Sequence, residues 1–400
     1  MGFSSRQLIC SIVYLSGSIS FGFINNFYAP VYYTLKHDFP VLEKTDFELK
    51  LKLFNHLGTF FACFGGFVIH FLIKFVRKRL AFAITHLVCF IVWLLLLSFN
   101  PDRIIFGIVL RSIHGLCYGG FATITQILFC ENVPHQSICF YGCLNSIGIT
   151  GSIALIDVIG ALFNWRVILL IGAVINFAGG LSIFLLPDHF NTSYKYENLF
   201  QKKYIDVILK GIAIMFFQQF GGINAIQANL SDIMSQCGMS FLPLLQASIA
   251  SLSQVLGVFV SMFAADALGT HTSYVVSSIG SIVLLIVYSL YFKMNVGVCY
   301  PTIAIFLYML CFGIGLSCVP WYVGNFYYHQ GIRTMGCAII TFVSMFFAVV
   351  VMLVFPIWNE LIGEFATLYI FAGITVFSVI FGFLWVPDQR IREEREITLI

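Results

Sequence analysis

Three carboxamide side chains lie close together in a long apolar stretch near the middle of the chain. Gln218 and Gln219 are consecutive, and Asn224 follows five residues after Gln219. Consecutive helical residues point about 100° apart, so we expect Gln219 and Asn224 to face one cavity and Gln218 to lie to one side of it. Uncharged amides offer donors and acceptors that suit the paired hydroxyl groups of a neutral polyol. Gly221 and Gly222 would let the helix bend beside them. The alternative is that these amides only join neighbouring helices.

No other pattern in the sequence indicates chemistry of a different kind. The nine histidines are scattered, with no HExxH motif and no zinc-like spacing with cysteine. The twelve cysteines include no CxxC pair, so we expect buried thiols and no disulfide framework. Six of the cysteines lie inside apolar blocks: Cys63, Cys89, Cys117, Cys143, Cys311 and Cys318. With no serine or cysteine nucleophile signature either, we expect no enzyme, no metal and no cofactor.

The elements that position the amides are apolar segments long enough to cross a bilayer. Of the 400 residues, 60% are hydrophobic and 10% charged, with a mean hydropathy of +0.94. A spanning helix needs about 20 mostly apolar residues. About twelve such spans are predicted, at 8–30, 53–73, 80–99, 104–129, 138–160, 166–186, 206–230, 244–265, 273–292, 299–323, 335–357 and 365–386. The chain is therefore predicted to be an all-α polytopic membrane protein that lies in the lipid bilayer. Its net charge of +3 is nearly neutral and implies no nucleic-acid partner.

Basic loop residues set the predicted orientation, because Lys and Arg favour the cytoplasmic side. They concentrate after span 2, in the polar segment 187–204 and in the tail, so both termini are predicted to be cytoplasmic. The segment 187–204 divides the spans six and six. The predicted domains are an N-terminal six-helix bundle at 1–186, a linker at 187–204, a C-terminal six-helix bundle at 205–387 and a tail at 388–400.

Short motifs along nearly the whole chain resemble those of the sugar porters of the major facilitator superfamily. The most specific is QQFGGINA at 218–225, which is similar to the family's QQxxGINA in span 7. Further matches are 17–23 in span 1, Arg111, Gly115 and Gly119 in span 4, Glu131 and Pro134 after it, 142–145 in span 5, Asp266 and Gly269 after span 8, 320–321 in span 10 and 386–388 near the tail. The resemblance implies the major facilitator fold and transport of a hexose or related sugar by alternating access.

The resemblance also implies further substrate-binding residues. Trp321 would offer a flat apolar face to a sugar ring, and Gln254 lies where the family has an asparagine in span 8. Ser146 replaces a glutamine that members usually carry, so one sugar contact is shortened or lost. The predicted substrate-binding set is Gln218, Gln219, Asn224, Gln254, Trp321 and Ser146.

The predicted mode is facilitated diffusion by a uniporter. Proton-driven members carry an acid directly after the FGY of span 1, whereas here Ile24 follows Phe23. Without an acid there, proton binding and substrate binding have no evident link. Asp157 and Asp232 remain as candidate coupling acids, but both fall near predicted outer ends of spans, where we expect solvated residues. A proton-coupled symporter is the alternative.

Charges on the cytoplasmic side resemble a reduced form of the family's pattern. We hypothesise that Glu131 pairs with Arg77 or Lys78 and that Asp266 pairs with Arg333, so that these pairs hold the cytoplasmic side shut. The alternative is that they are solvated loop residues that follow the positive-inside rule.

Two other functions are compatible with this architecture. A porter of a polyol or another small organic molecule would be consistent with Ser146. A sugar sensor that does not transport is disfavoured, because such proteins usually carry long cytoplasmic extensions and here the linker and tail are short. We expect a monomer in the plasma membrane.

Overall fold

A computed structural model describes residues 5–43, 45–132, 138–186, 197–228, 230, 243–294 and 299–387. Within these ranges the chain is helical with short turns and contains no β-strand. This follows from the apolar composition, since a segment in hydrocarbon must satisfy its own backbone hydrogen bonds. The predicted all-α class is confirmed.

Fourteen α-helices are described, and four short 3₁₀ segments flank some of them. The helices are α1 Ser5–Asn25, α2 Tyr28–Asp38, α3 Thr45–Phe75, α4 Lys78–Leu96, α5 Ile104–Asn132, α6 Ile138–Leu162, α7 Trp165–Ser182, α8 Ile205–Gln219, α9 Ile223–Ala228, α10 Pro243–Leu268, α11 Thr270–Met294, α12 Cys299–Ile314, α13 Val319–Tyr327 and α14 Arg333–Trp385. The 3₁₀ segments are Pro40–Glu43, Pro101–Arg103, Ile183–Leu185 and Lys202–Tyr204.

The number of membrane spans agrees with the sequence prediction. Ten described segments are long and apolar enough to cross a membrane, and Ile9–Asn25 is a shorter apolar helix. The 53-residue α14 has a non-helical residue at Gly363, with φ of 84°, and therefore holds two spans. Ten segments, the short helix and the second part of α14 together give the predicted twelve.

The first span ends earlier than the prediction of 8–30. Helix α1 stops at Asn25, and α2 begins at Tyr28 as a separate helix. Pro30 lies in the first turn of α2, where its missing N–H would have no helical partner in any case. The apolar run continues across this turn, so hydropathy alone did not mark the end of the helix.

The chain divides into two compact units by its contacts. Unit 1 comprises Met1–Asn132, Gly151–Leu199 and Gln330–Val349; unit 2 comprises Val133–Thr150, Phe200–His329 and Val350–Ile400. The predicted six-helix bundles are defined by chain order rather than by contacts, and they stay a prediction.

Glycines allow the closest helix packing within each unit. In unit 1, a Cβ on Gly115 or Gly119 of α5 would collide with the backbone of α3. In unit 2, Gly257 of α10 and Gly313 of α12 lie against each other's helix in the same way. Close backbone approach of this kind stabilises membrane helix pairs. The α10–α12 contact fixes Gln254, since a Cβ on Gly313 would collide with the Gln254 carbonyl oxygen.

Candidate functional site

The predicted seventh span is broken in unit 2, beside the three amides. Helix α8 ends at Gln219 and α9 begins at Ile223. Between them Gly222 has a φ of 90°, a conformation in which a side chain is strained. The carbonyl of Gly221, freed by the break, accepts a hydrogen bond of 2.8 Å from the Tyr308 hydroxyl. The bend predicted at this glycine pair is confirmed.

The tenth span is broken as well, at residues 315–318 between α12 and α13. Gly315 lies so close to the Ser273 carbonyl of α11 that a Cβ would collide with it. The Ser277 hydroxyl accepts the Leu316 N–H at 2.9 Å and donates to the Cys311 carbonyl at 2.7 Å. Side chains of α11 thus satisfy backbone groups that the break releases, as a membrane interior requires.

Gln218 connects the two breaks. Its Nε2 donates to the carbonyls of Leu316 and Ser317, at 2.9 and 3.1 Å. Its Oε1 accepts from Gln219 Nε2 at 3.4 Å. The side chain is buried. Both donors of this amide therefore bond to the backbone of the α12–α13 break.

Gln219 and Asn224 contact each other across the α8–α9 break. The Asn224 Nδ2 donates to the Gln219 Oε1. Gln219 is buried, whereas Asn224 is half-buried. The sequence placed these two amides on one cavity, and the break brings them into direct contact.

Gln254 of α10 extends the same set of polar groups. Its Nε2 donates to the Ser317 hydroxyl at 3.1 Å, and its Oε1 accepts from Gln227 Nε2 at 3.0 Å. Sequence reasoning missed Gln227 and Ser317. The signal for Gln227 was its position one helical turn after Asn224; Ser317 lies in the break itself. We call the following six residues the amide network: Gln218, Gln219, Asn224, Gln227, Gln254 and Ser317.

Ser146 and Trp321, the remaining predicted substrate contacts, also lie in unit 2. Ser146 of α6 is 2% exposed, and its hydroxyl has no hydrogen-bond partner among the described residues. Trp321 is half-buried in the first turn of α13, and its backbone N–H donates to the Cys318 carbonyl at 3.2 Å. A buried hydroxyl without a partner has hydrogen-bonding capacity to offer a ligand.

Four of the five charged residues of the predicted cytoplasmic gate lie in unit 1, and Asp266 lies in unit 2. Lys78 Nζ is 2.6 Å from Glu131 Oε1 and 2.7 Å from Oε2, with side-chain exposures of 16% and 6%. Arg77 is exposed at the start of α4. Arg333 is buried at the start of α14. The side chain of Asp266 lies outside the described residues, so its pairing with Arg333 stays a prediction.

Asp157 was expected to be solvated near the outer end of its span, and that expectation is wrong. The side chain is 3% exposed, and its Oδ1 accepts a hydrogen bond of 2.8 Å from Asn26 Nδ2. Asn26 follows the end of α1, so a turn of another helix covers the acid. Asp232, the second candidate acid, lies outside the described residues.

The family model described as "Sugar (and other) transporter" matches residues 188–399, just over half of the chain. The chain belongs to this family. It is a membrane transporter, and it is not an enzyme.

Relatives of the sugar transporter family match along almost the whole chain. Sugar transporter ERD6-like 7 of Arabidopsis thaliana is 25% identical, over 98% of this chain and 93% of its own. The facilitated trehalose transporter Tret1 of Apis mellifera ligustica is 22% identical, over 98% of this chain and 88% of its own.

Solved structures show that the fold is that of the major facilitator superfamily. The proton:xylose symporter XylE bound to 6-bromo-6-deoxy-D-glucose superposes with a TM-score of 0.84, at 14% identity and 96% coverage of both chains. A partially occluded inward-open XylE from E. coli gives 0.76, at 14% identity, with 97% of this chain and 99% of that chain covered. The predicted fold and family are confirmed.

Proposed function

We propose that this transporter carries a hexose or a related neutral sugar by facilitated diffusion. The observation that supports this most is the amide network, a set of uncharged donors and acceptors that meets at two broken membrane helices. Hydroxyl groups of a sugar can replace bonds within such a network one by one. The names of the relatives, a sugar transporter and a facilitated trehalose transporter, agree with this substrate class.

The roles of the amides differ in this proposal. Gln218 positions the α12–α13 break, because both of its donors bond to that backbone. Gln219 and Asn224 exchange their mutual bond for bonds to the sugar. Gln254 exchanges its bonds to Ser317 and Gln227 in the same way. Ser146 adds a hydroxyl without a described partner, and Trp321 stacks on the sugar ring.

The absence of an acid near the end of the first span supports facilitated diffusion. Ile24, at the position where proton-driven members carry the acid, is 1% exposed and apolar. No proton can bind at that position, so uptake should follow the sugar gradient alone.

Alternating access would require two sets of contacts on the cytoplasmic side to break, those of α14 in unit 1 and those of α6 in unit 2. In unit 1, Thr334 of α14 hydrogen bonds with His70 of α3 at 3.2 Å. Thr341 of α14 hydrogen bonds with Thr123 of α5 at 2.8 Å. In unit 2, Cys139 of α6 hydrogen bonds with Thr270 of α11, and Cys143 of α6 hydrogen bonds with Ser261 of α10. Together with the Lys78–Glu131 ion pair, these bonds form the proposed gate, and Arg77, Arg333 and Asp266 belong to its charge pattern. We further propose a monomer in the plasma membrane, with both termini cytoplasmic.

The experiment that tests this function is uptake of labelled glucose into proteoliposomes, with and without an inward proton gradient. Wild type is compared with Gln219→Ala, and Gln246→Ala serves as control because it removes a buried amide of α10 outside the amide network. We expect saturable uptake that ignores the gradient, fails in the first variant and persists in the second. Uptake driven by the gradient would instead point to Asp157 as a coupling acid, and absence of uptake from a folded protein would exclude glucose as the substrate.

A further inference from the structure

A pair of buried thiols lies at the proposed gate in unit 2, and transport chemistry does not use it. Cys143 of α6 donates to the Ser261 hydroxyl at 3.7 Å, and the same hydroxyl lies 3.3 Å from the Cys318 sulfur. Both thiols are 0% exposed. We call Cys143 and Cys318 the thiol pair.

The surrounding packing keeps the thiol pair together. One residue before Cys143, a Cβ on Gly142 would lie 2.6 Å from the Tyr322 side chain of α13, so α6 approaches α13 closely at this level. Cys318 ends the α12–α13 break, and its sulfur is also within 3.7 Å of the Gly315 carbonyl oxygen. Both sulfurs contact one hydroxyl oxygen, so they are near neighbours. A disulfide needs about 2 Å between sulfurs, so its formation requires rotation of the two side chains and a further approach of α6 to the α12–α13 break.

We propose that the thiol pair is a redox modification site, at which a reversible disulfide between Cys143 and Cys318 locks the transporter closed at this end. The lock rests on the proposed function, since only alternating access requires α6 to separate from α10 and α13. A covalent bond from α6 to the α12–α13 break would prevent that separation.

A peroxide supplies the oxidising equivalents. Cys318 directly precedes the first residue of α13, where the helix N-terminus stabilises negative charge, so we assign it the first attack. The Cys318 thiol releases its proton, and the thiolate attacks one oxygen of hydrogen peroxide. The O–O bond breaks and the leaving hydroxide takes up the proton, so a sulfenic acid and one water result. The Cys143 sulfur then attacks the sulfenic sulfur, the S–S bond forms, and the hydroxyl leaves as a second water with the Cys143 proton. Two thiols lose two electrons in total, one peroxide gains them, and a dithiol reductant reverses the reaction.

The burial of the thiol pair predicts when it reacts. Peroxide would reach the sulfurs when α6 moves away during a transport cycle, and the disulfide would form when the helices close again. Oxidation should therefore be faster while the protein is transporting sugar than in its absence.

The test uses the full-length protein in proteoliposomes, with a protease site inserted in the polar segment 188–196. After peroxide treatment and protease cleavage, a non-reducing gel reports whether the two fragments remain linked, and peptide mass spectrometry identifies the linked cysteines. Glucose uptake is measured on the same samples. The variants are Cys143→Ser and Cys318→Ser, and Cys63→Ser is the control because Cys63 is a buried thiol of α3 in unit 1.

We expect wild type and Cys63→Ser to become linked and to lose uptake at least tenfold, and dithiothreitol to reverse both effects. Each thiol-pair variant should stay unlinked, and peroxide should leave its uptake equal to that of the same variant without peroxide; if one of them folds poorly, the other gives the same result. Unlinked fragments in oxidised wild type, or linkage in Cys143→Ser, would overturn the proposal, and linked protein that still transports would overturn the lock. Because the gel does not depend on transport, a failure of the proposed substrate is distinguishable from a failure of the disulfide.

Discussion

Replacement of Gln218 by leucine should disconnect α8 from the α12–α13 break. The Gln218 amide donates to the Leu316 and Ser317 carbonyls at 2.9 and 3.1 Å. Leucine is close to glutamine in size but has no donor, so both carbonyls lose this partner inside a membrane span. We therefore expect a loss of stability and of transport, with little change in the affinity of the sugar for protein that remains folded.

The magnitude follows from the two bonds to the backbone, because the third bond, accepted from Gln219 at 3.4 Å, is long and contributes little. A net intramolecular hydrogen bond contributes about 0.5–1.5 kcal/mol, and interhelical bonds in membrane proteins average about 0.6 kcal/mol. Two bonds therefore give about 1–3 kcal/mol for Gln218→Leu. If that free energy opens the break without unfolding the protein, 2 kcal/mol lowers the competent population about 30-fold, since about 1.4 kcal/mol is a factor of ten.

The assay pairs thermal unfolding of purified protein with initial rates of glucose uptake over a range of concentrations. Gln219→Leu is the matched comparison, because it removes the neighbouring amide that we propose binds the sugar. We expect Gln218→Leu to lower the unfolding midpoint and the maximal rate, and Gln219→Leu to raise KM at least tenfold with a smaller shift in midpoint. A Gln218→Leu protein of unchanged stability with a raised KM would refute the reasoning, because Gln218 would then bind the sugar directly.

Three further perturbations test other parts of the structure. Gly222→Ala should destabilise the protein by about 1–2 kcal/mol, because φ is 90° there and the new Cβ would lie 3.1 Å from Phe371; thermal unfolding measures this. Glu131→Lys should repel its lysine partner and raise the inward-facing population, as followed by cysteine accessibility labelling. The hydrogen bond from the Trp165 indole N–H, and next the bond from Arg166, lower the pKa of Asp38. Asp38 therefore stabilises the fold above its unfolded pKa of about 3.9, and this contribution disappears as pH falls through the folded pKa. Asp38→Asn should therefore flatten the pH dependence of unfolding below pH 4.

Each of these predictions has a control or a contrary result. Gly151→Ala introduces a Cβ with nothing within 4 Å and should be nearly neutral; an equal loss there would remove the argument from φ. Asp206→Lys reverses an exposed charge paired within one helix turn, and a labelling shift as large as that of Glu131→Lys would mean that net charge, not the gate, matters. An unchanged pH profile in Asp38→Asn would show that the hydrogen bond to Trp165 does not contribute to stability.

The helices and the principal amides were predictable from the sequence for physical reasons. Hydrocarbon forces long apolar runs into helices, so the number of spans followed from length and hydropathy. The bend in the seventh span followed from Gly221 and Gly222, because only glycine adopts a positive φ without strain. The spacing of Gln219 and Asn224 predicted that both face one cavity, whereas their direct hydrogen bond became evident only from the structure.

The remaining features depend on contacts distant in sequence. Asp157 lies five residues before the end of α6, which suggested solvent, but Asn26 from the turn after α1 covers it. Ser317 looks like an ordinary serine of an apolar run until Gln254, 63 residues earlier, donates to it. The end of the first span at Asn25 was hidden because apolar residues continue beyond it.

The hydrogen bonds within the amide network limit its affinity for a sugar. Because Gln219, Asn224 and Gln254 already satisfy one another or their neighbours, a sugar that enters must displace hydrogen bonds rather than add them. The enthalpy of such an exchange is small, so binding should be weak, near the millimolar range that corresponds to about −4 kcal/mol. Weak binding implies rapid release on either side of the membrane, and saturation should therefore occur only at high sugar concentration.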